Sequence, residues 1–373
     1  MTWKEEYDSL KFKESDMNTL TFELTTTQDD ERPVYLTGNF NKWKTEDEAY
    51  KMSKIGHGVY HLTFNETTAL PQTIEYKYVK GNWNDVEVDE YGCGVHHRTV
   101  GENRGVTKDK VPRWKKNNVA YNSAYLPKIE LATEGRDIPQ LRRKRKIWVV
   151  LPHDYHQTNE RYPVIYLQDA QNLFDDNAPY GNWAIDKALA VLAEKGKGKV
   201  IIVAIDHAGN ERLIDVNPIV TDKKKQEGRK YIKFVGTYLK PYIDGRYRTL
   251  PSRENTGIGG SSLGGLVSLY GVLNRSEVFG RAMILSPSLW LAPGSYLDAT
   301  TFLPPSPTKI YLYGGGKESD FMLTNIHRLK ESFDWQRENV ESLQVMLKTD
   351  AEGHHNEERW GKEFPRAIEW LFG

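Results

Sequence analysis

The chain has 373 residues, 38% of them hydrophobic and 27% charged, with Lys+Arg and Asp+Glu both at 51 and therefore no net charge. That length allows two or three domains with substantial cores, and the composition is that of an ordinary soluble globular protein. The neutral balance gives no electrostatic case for a nucleic-acid or anionic-membrane partner, and no run approaches the roughly 18 apolar residues of a membrane span.

Met1 to Asp16 is charged and holds no apolar core of the kind a signal peptide needs. The lone cysteine, Cys93, excludes an internal disulfide and fits a reducing compartment, so a cytoplasmic setting is expected. In Tyr91-Gly92-Cys93-Gly94 it reads as a structural thiol. From about Thr19 to Arg98 short alternating runs follow one another: Thr19 to Leu24, Val59 to Phe64, Glu75 to Val79. Aromatic and β-branched residues dominate them, which predicts a β-sandwich over residues 1–105. The polar, weakly periodic stretch 106–127 reads as a linker.

After it, apolar strand runs alternate with helical stretches. The strand candidates are Ile147 to Leu151, Val164 to Leu167, Val200 to Ile205, Thr256 to Gly260, Met283 to Leu285 and Ile310 to Tyr313. The helix candidates are Asp186 to Glu194, Lys230 to Ile243, Leu263 to Leu273, Thr324 to Glu338 and Glu358 to Leu371. Such alternation predicts a largely parallel, helix-covered sheet over residues 128–373. The basic cluster Arg142 to Lys146 and the run Lys223-Lys224-Lys225 read as solvated surface.

Within that α/β region, Gly259-Gly260-Ser261-Ser262-Leu263-Gly264-Gly265 joins a strand to a helix. Gly260-x-Ser262-x-Gly264 there is the G-x-S-x-G nucleophile elbow of an α/β-hydrolase, in which a serine sits on a strained turn at the tip of the sheet. A serine hydroxyl needs a base to take its proton and a third group to orient that base. The strand Ile310 to Tyr313 runs into a loop carrying Glu318 and Asp320, either of which can be the acid, or can simply cap the next helix. His354 and His355 are the base candidates, on the last loop before the carboxy-terminal helix. One oxyanion donor is the Leu263 amide, after the nucleophile. The second is expected from the turn Gln168-Asp169-Ala170-Gln171-Asn172, with Asp169 and Asn172 bracing it. Trp290, Phe174 and Trp183 are candidates for an acyl pocket.

Several runs carry a resemblance. They include Trp148 to Tyr155, Tyr166 to Asp175, Gly260 to Gly265, Ser286-Pro287-Ser288-Leu289-Trp290 and His355-Asn356-Glu357-Glu358-Arg359-Trp360. Together they resemble the putative-esterase family of α/β-hydrolases, which includes feruloyl, acetyl-xylan and enterochelin esterases, esterase D and mycolyltransferases. The resemblance covers roughly Ile129 to Gly373. It implies Ser262 as nucleophile, Glu318 as acid and His355 as base. The family usually has Asp-Gly-Gln-Asn where this chain has Asp169-Ala170-Gln171-Asn172. A glycine needed there for positive φ would leave Ala170 strained, and Gln171 is the favoured second donor over Ala170. The first domain resembles glycogen- and starch-binding E-set modules, an immunoglobulin-like class. The match lies in Tyr35 to Trp43 and Tyr76 to Trp83, with Trp43 and Trp83 as a sugar-stacking platform unless the module is only a structural appendage.

The expectation is a serine carboxylic-ester hydrolase of small-molecule esters, acylated sugars foremost, with no metal or organic cofactor. The alternatives are a siderophore trilactone esterase, an acyltransferase to a sugar, and a non-catalytic glycan-binding protein.

Overall fold

The computed structural model describes residues 19–64, 70–101, 105–138, 143–178, 180–207, 227–304, 307–337 and 342–373. The Met1 to Asp16 segment, Arg142 and the Lys223 to Lys225 run lie outside them. The chain divides into two compact units, Met1–Tyr121 and Asn122–Gly373.

In the first unit, β1 (Leu20–Thr26), β2 (Tyr35–Gly38), β3 (Ser53–Gly56), β4 (Val59–Thr63), β5 (Ile74–Val79), β6 (Glu87–Val88), β7 (Arg98–Val100), β8 (Gly105–Val111) and β9 (Arg113–Trp114) follow in order. One sheet runs β3-β4-β1-β8, a second β2-β5-β7, and β6 pairs with β9. Alternation turns one side of each strand inward. Phe22, Leu24 and Tyr60 of the first sheet then meet Leu36, Tyr76 and Tyr78 of the second in a single core. The Phe22 and Tyr76 rings pack edge to face at 4.9 Å. This is a β-sandwich.

The expected linker over 106–127 is corrected here. Its first part is β8, which lies parallel to β1 from Leu20 opposite Gly105 to Thr26 opposite Val111. Trp114 of β9 is buried, and its indole N–H donates to Thr26 Oγ1 at 3.0 Å. The strand was hidden because Asp109 is charged yet points toward the sandwich interior. It accepts hydrogen bonds from the Tyr76 and Tyr78 hydroxyls, both at 2.8 Å, and from Arg98 at 2.9 Å.

The second unit holds β10 (Lys128–Ile138), β11 (Arg143–Leu151), β12 (Val164–Gln168), β13 (Ile201–Ile205), β14 (Thr256–Ser261), β15 (Arg281–Leu285), β16 (Thr308–Gly315) and β17 (Leu343–Asp350). They form one eight-stranded sheet in the order β10-β11-β13-β12-β14-β15-β16-β17. β10 and β11 pair antiparallel, as do β11 and β13; every later pair is parallel. β12, β13 and β14 are buried along their whole length, as strands covered by helices on both faces must be.

The helices are α1 (Ile185–Glu194), α2 (Glu227–Phe234), α3 (Lys240–Arg246), α4 (Leu263–Asn274), α5 (Ser295–Thr300), α6 (Met322–Arg337) and α7 (Glu357–Phe372). A π-helical turn, Val235–Leu239, joins α2 to α3. One core cluster packs Tyr231, Phe234 and Ile243 against Val149, Tyr166 and Val203, and another packs Phe333 and Leu329 against Ile284 and Leu312. This is the α/β-hydrolase arrangement expected from the strand-helix alternation. The chain leaves β12 toward β13 and returns to β14 on the other side of β12. That makes the carboxyl ends of β12 and β14 the switch point at which open α/β sheets collect ligands.

Candidate active site

Ser262 stands at that point, between β14 and α4, with φ 55° and ψ −118°. Such a backbone is costly for a residue with a Cβ and survives only where its surroundings hold it. The tight packing is visible at the flanking glycines. A Cβ on Gly260 would come within 2.9 Å of the Gly264 backbone, and one on Gly264 within 3.0 Å of Gln168. The strand, the helix and the end of β12 thus converge on the serine.

Two amide groups point the chemistry. Leu263 opens α4, so its N–H is among the first-turn donors that have no intrahelical acceptor. After β12, Ala170–Asn172 forms a 3-10 turn, in which the Asn172 amide donates to Asp169 and the Leu173 amide to Ala170. The Ala170 and Gln171 amides precede those bonds. The left-handed residue of this turn is Asp169, at φ 61°. Alanine in place of the family's glycine therefore puts no Cβ at a positive φ, and the anticipated strain at Ala170 does not arise.

Glu318 follows β16, and its side chain is 1% exposed. Its Oε2 meets His355 Nδ1 at 2.7 Å, while Oε1 accepts from the Gly315 amide at 2.7 Å and from Ser286 Oγ at 2.6 Å. Asp320 and His354, the rival acid and base, are both exposed. His355 stands edge to face with the Trp360 indole, ring centres 4.8 Å apart. Ser262 and His355 line the same cavity of about 570 Å³. The Ser262 hydroxyl contacts Ser288 Oγ at 3.3 Å.

The cavity wall combines polar and aromatic side chains. Gln168, Asp169, Asn172 and Glu357 contribute polar groups; Tyr180, Trp183 and Trp360 contribute rings. Asn172 donates from Nδ2 to Glu357 Oε1 at 3.0 Å, tying the turn after β12 to the start of α7. Burial pushes the Glu357 carboxyl above its usual range, against a smaller pull from His355. In the sequence Glu357 and Trp360 stand out only as part of the His355 to Trp360 run; their place on the wall depends on the path of the loop that carries His355.

Of the three predicted acyl-pocket residues, Trp183 lines the cavity and the other two do not. Phe174 packs edge to face on Trp148 at 5.8 Å, and Trp290 is 75% exposed. Among the described residues no group of three or more His, Cys, Asp or Glu is placed to hold a metal ion, and no helix is long and apolar enough to cross a membrane.

In the first unit, Trp43 and Trp83 lie with ring centres 6.2 Å apart at 41°, and Trp43 also packs on His97 at 4.4 Å. Trp83 is 45% exposed. Lys42 and Trp43 are both left-handed, so a strained turn presents the first ring.

Comparison with known proteins gives the family and the fold. The chain is 21% identical over 243 residues to the uncharacterized protein YbbA of Bacillus subtilis, covering 61% of this chain and 93% of that one. An 88-residue stretch, 22% of the chain, is 39% identical to 6% of an alpha-amylase from Niallia circulans. Among solved structures, the enterobactin esterase FES from Shigella flexneri, determined in the presence of enterobactin, superposes with a TM-score of 0.53 at 16% identity. That match covers 94% of this chain and 92% of FES, and at such identity it speaks for the fold alone. The family described as Putative esterase matches residues 138–371. The chain belongs to that family and is an esterase, a hydrolase acting on ester bonds.

Proposed function

We propose that this esterase is a serine carboxylic-ester hydrolase working through an acyl-enzyme, with Ser262 as nucleophile, His355 as general base and Glu318 as the acid that orients it. The observation that carries the reading is the 2.7 Å contact between Glu318 and His355 on the wall of the cavity that also holds Ser262. As an ester enters, His355 takes the Ser262 proton and Oγ bonds to the ester carbonyl carbon, whose π electrons move onto oxygen. The Leu263 amide, with that of Gln171 or Ala170, donates to this oxyanion. The C–O bond to the alcohol then breaks, and the alcohol leaves with the proton from His355. Water, deprotonated by His355, attacks the acyl-enzyme; the acid departs and Oγ regains its proton. In the resting geometry the Ser262 hydroxyl faces Ser288, and the bond to His355 forms as substrate tightens the site.

The substrate class this wall favours is a small ester bearing hydroxyls, such as an acylated sugar. Amide and carboxyl groups beside the nucleophile and the Trp183 and Trp360 rings suit hydroxyls and sugar faces respectively. A panel of p-nitrophenyl acetate and butyrate, methyl ferulate, acetylated xylo-oligosaccharide and a catecholate trilactone tests both claims. Ser262→Ala is expected to lower kcat at least about 10⁴-fold. Wild-type rates in that variant would remove the triad reading; preference for the trilactone would replace the sugar by a siderophore, and acyl transfer to added glycan would make the enzyme a transferase.

A second reading concerns the first unit. Its Trp43–Trp83 pair supports glycan binding by an E-set-type module. Trp43→Ala should abolish retardation on a starch-containing gel without changing ester turnover; unchanged retardation would leave the sandwich a structural appendage.

A further inference from the structure

The Glu318 carboxylate is held by more than the histidine. The Trp360 indole N–H lies 2.9 Å from Ser286 Oγ, and Ser286 Oγ lies 2.6 Å from Glu318 Oε1. Proton directions here are forced. An indole nitrogen can only donate, and a carboxylate can only accept. Ser286 therefore receives the Trp360 proton on a lone pair and points its own proton at Glu318. With the Gly315 amide on the same oxygen at 2.7 Å, Oε1 has two donors, and Oε2 is left to His355 alone.

The geometry is built to last. Ser286 and Trp360 are both buried. Ser286 follows β15 at φ 45°, a left-handed backbone that a serine occupies only under constraint, and its amide donates to Tyr313 O at 2.8 Å. The same Trp360 ring that donates to Ser286 also braces the His355 imidazole. One indole thus touches both ends of the acid–base pair.

We infer that Ser286 and Trp360 are positioning residues for the esterase reaction: their hydrogen-bond chain fixes the rotamer of Glu318 and sets how much of its charge faces His355. The inference rests on the proposed triad. Losing the Ser286 hydroxyl leaves more of the carboxylate charge on the imidazole side, so the histidine holds a proton more tightly. Among the described residues, the other titratable or charged groups around this pair are Glu357, Asp169 and His207 on the cavity, His354 next to His355 in the chain, and Tyr313, Asp350 and Arg359 near Glu318; burial pushes the Glu357 carboxyl and the Tyr313 hydroxyl upward.

The test uses Ser286→Gly, which removes the hydroxymethyl group and puts at this positive φ the residue most at ease there. A hydrogen bond to a charged group corresponds to about a 10- to 100-fold change. The expected result is a fall in kcat of that size with KM unchanged, a thermal midpoint equal to or above wild type, and an acidic limb of the kcat/KM profile displaced to higher pH. Trp360→Phe keeps an aromatic ring, though a smaller one, and loses the N–H; it should move the limb the same way by less. Wild-type kcat and limb in both variants would overturn the inference. So would a loss of kcat that tracks a lower midpoint with the limb unmoved, which is what a merely structural role predicts. Ser262→Ala and His355→Ala, run alongside, separate the two levels. If they stay active the triad itself fails; if they are dead while Ser286→Gly is wild-type, only the positioning chain fails.

Discussion

In the sandwich, buried or half-buried acids are met by cations. The Tyr60 hydroxyl and Lys54, at 2.6 and 2.9 Å, hold Asp29 well below the usual carboxylate range. Burial opposes ionisation of Asp30, yet Arg32 and Lys80 outweigh it and hold this carboxyl low as well. Arg98 bridges Glu87 at 2.8 Å and Asp109 at 2.9 Å. The hydrolase unit treats several of its acids differently. Asp186, Asp206, Glu357 and Glu363 are all pushed above the usual range, in each case chiefly by burial. Glu363 has the Tyr311 hydroxyl as its hydrogen-bond donor. A sandwich of about 100 residues buries less of its surface and ties itself together with ions; a larger helix-covered sheet can bury acids whose ionisation is disfavoured and meet them with neutral donors such as Tyr311 and Asn172. Removing a charge should therefore cost fold in the first unit and turnover or pH dependence in the second.

The largest expected effect comes at Glu318, where loss of charge leaves the imidazole in the wrong tautomer. Glu318→Gln should lower kcat about 10⁴-fold while the unfolding midpoint of the hydrolase unit barely moves. A drop of tenfold or less would mean that the carboxylate does not orient His355.

In the sandwich the sign reverses. Arg98→Ala leaves Glu87 and Asp109 without their shared cation and should cost that unit about 2–3 kcal/mol in denaturant unfolding. Turnover per folded enzyme should stay constant, because among the described residues those that line the cavity belong to the second unit. An unaltered unfolding curve would show the ion network to be ornamental.

The smallest effect is a slope. Glu363 has a folded-state value raised above its unfolded one, so its favourable contribution is present below the ordinary carboxylate range and is lost as pH rises through the raised value. Asp29 and Asp30, held low, contribute above that range and lose their contribution as pH falls below it. Glu363→Gln should flatten the decline in hydrolase-unit stability as pH rises above the ordinary carboxylate range, measured by chemical denaturation at each pH. If wild type and variant run parallel, the contrast between the units does not hold at this residue.

Reading the chain succeeded where the signal is local. The runs around Val164, Val200 and Thr256 are continuous apolar strands because both faces of a parallel sheet are covered, and all three appear where expected. It failed at β8, whose inward Asp109 looks like linker polarity until Tyr76, Tyr78 and Arg98 are brought to it from other strands. Among the aromatics, Trp183 and Trp290 are indistinguishable by composition. Only packing puts Trp183 on the cavity and leaves Trp290 in solvent.

What the sequence determined by itself is the glycine-flanked strand-to-helix turn at Ser262 and the alternation that makes a parallel sheet, because each is written in neighbouring residues or in their succession. The place of Glu318 just beyond a strand end favours it over Asp320, whereas His354 and His355 could not be separated by their own surroundings in the chain and only family resemblance favoured His355. Tertiary structure decided what no local pattern encodes. It brought Glu318 within 2.7 Å of a histidine 37 positions away, and it set Ser286 and Trp360 behind that carboxylate. The physical reason is that strand and helix preferences act over a few residues, whereas a buried carboxylate must find its donors wherever the fold supplies them.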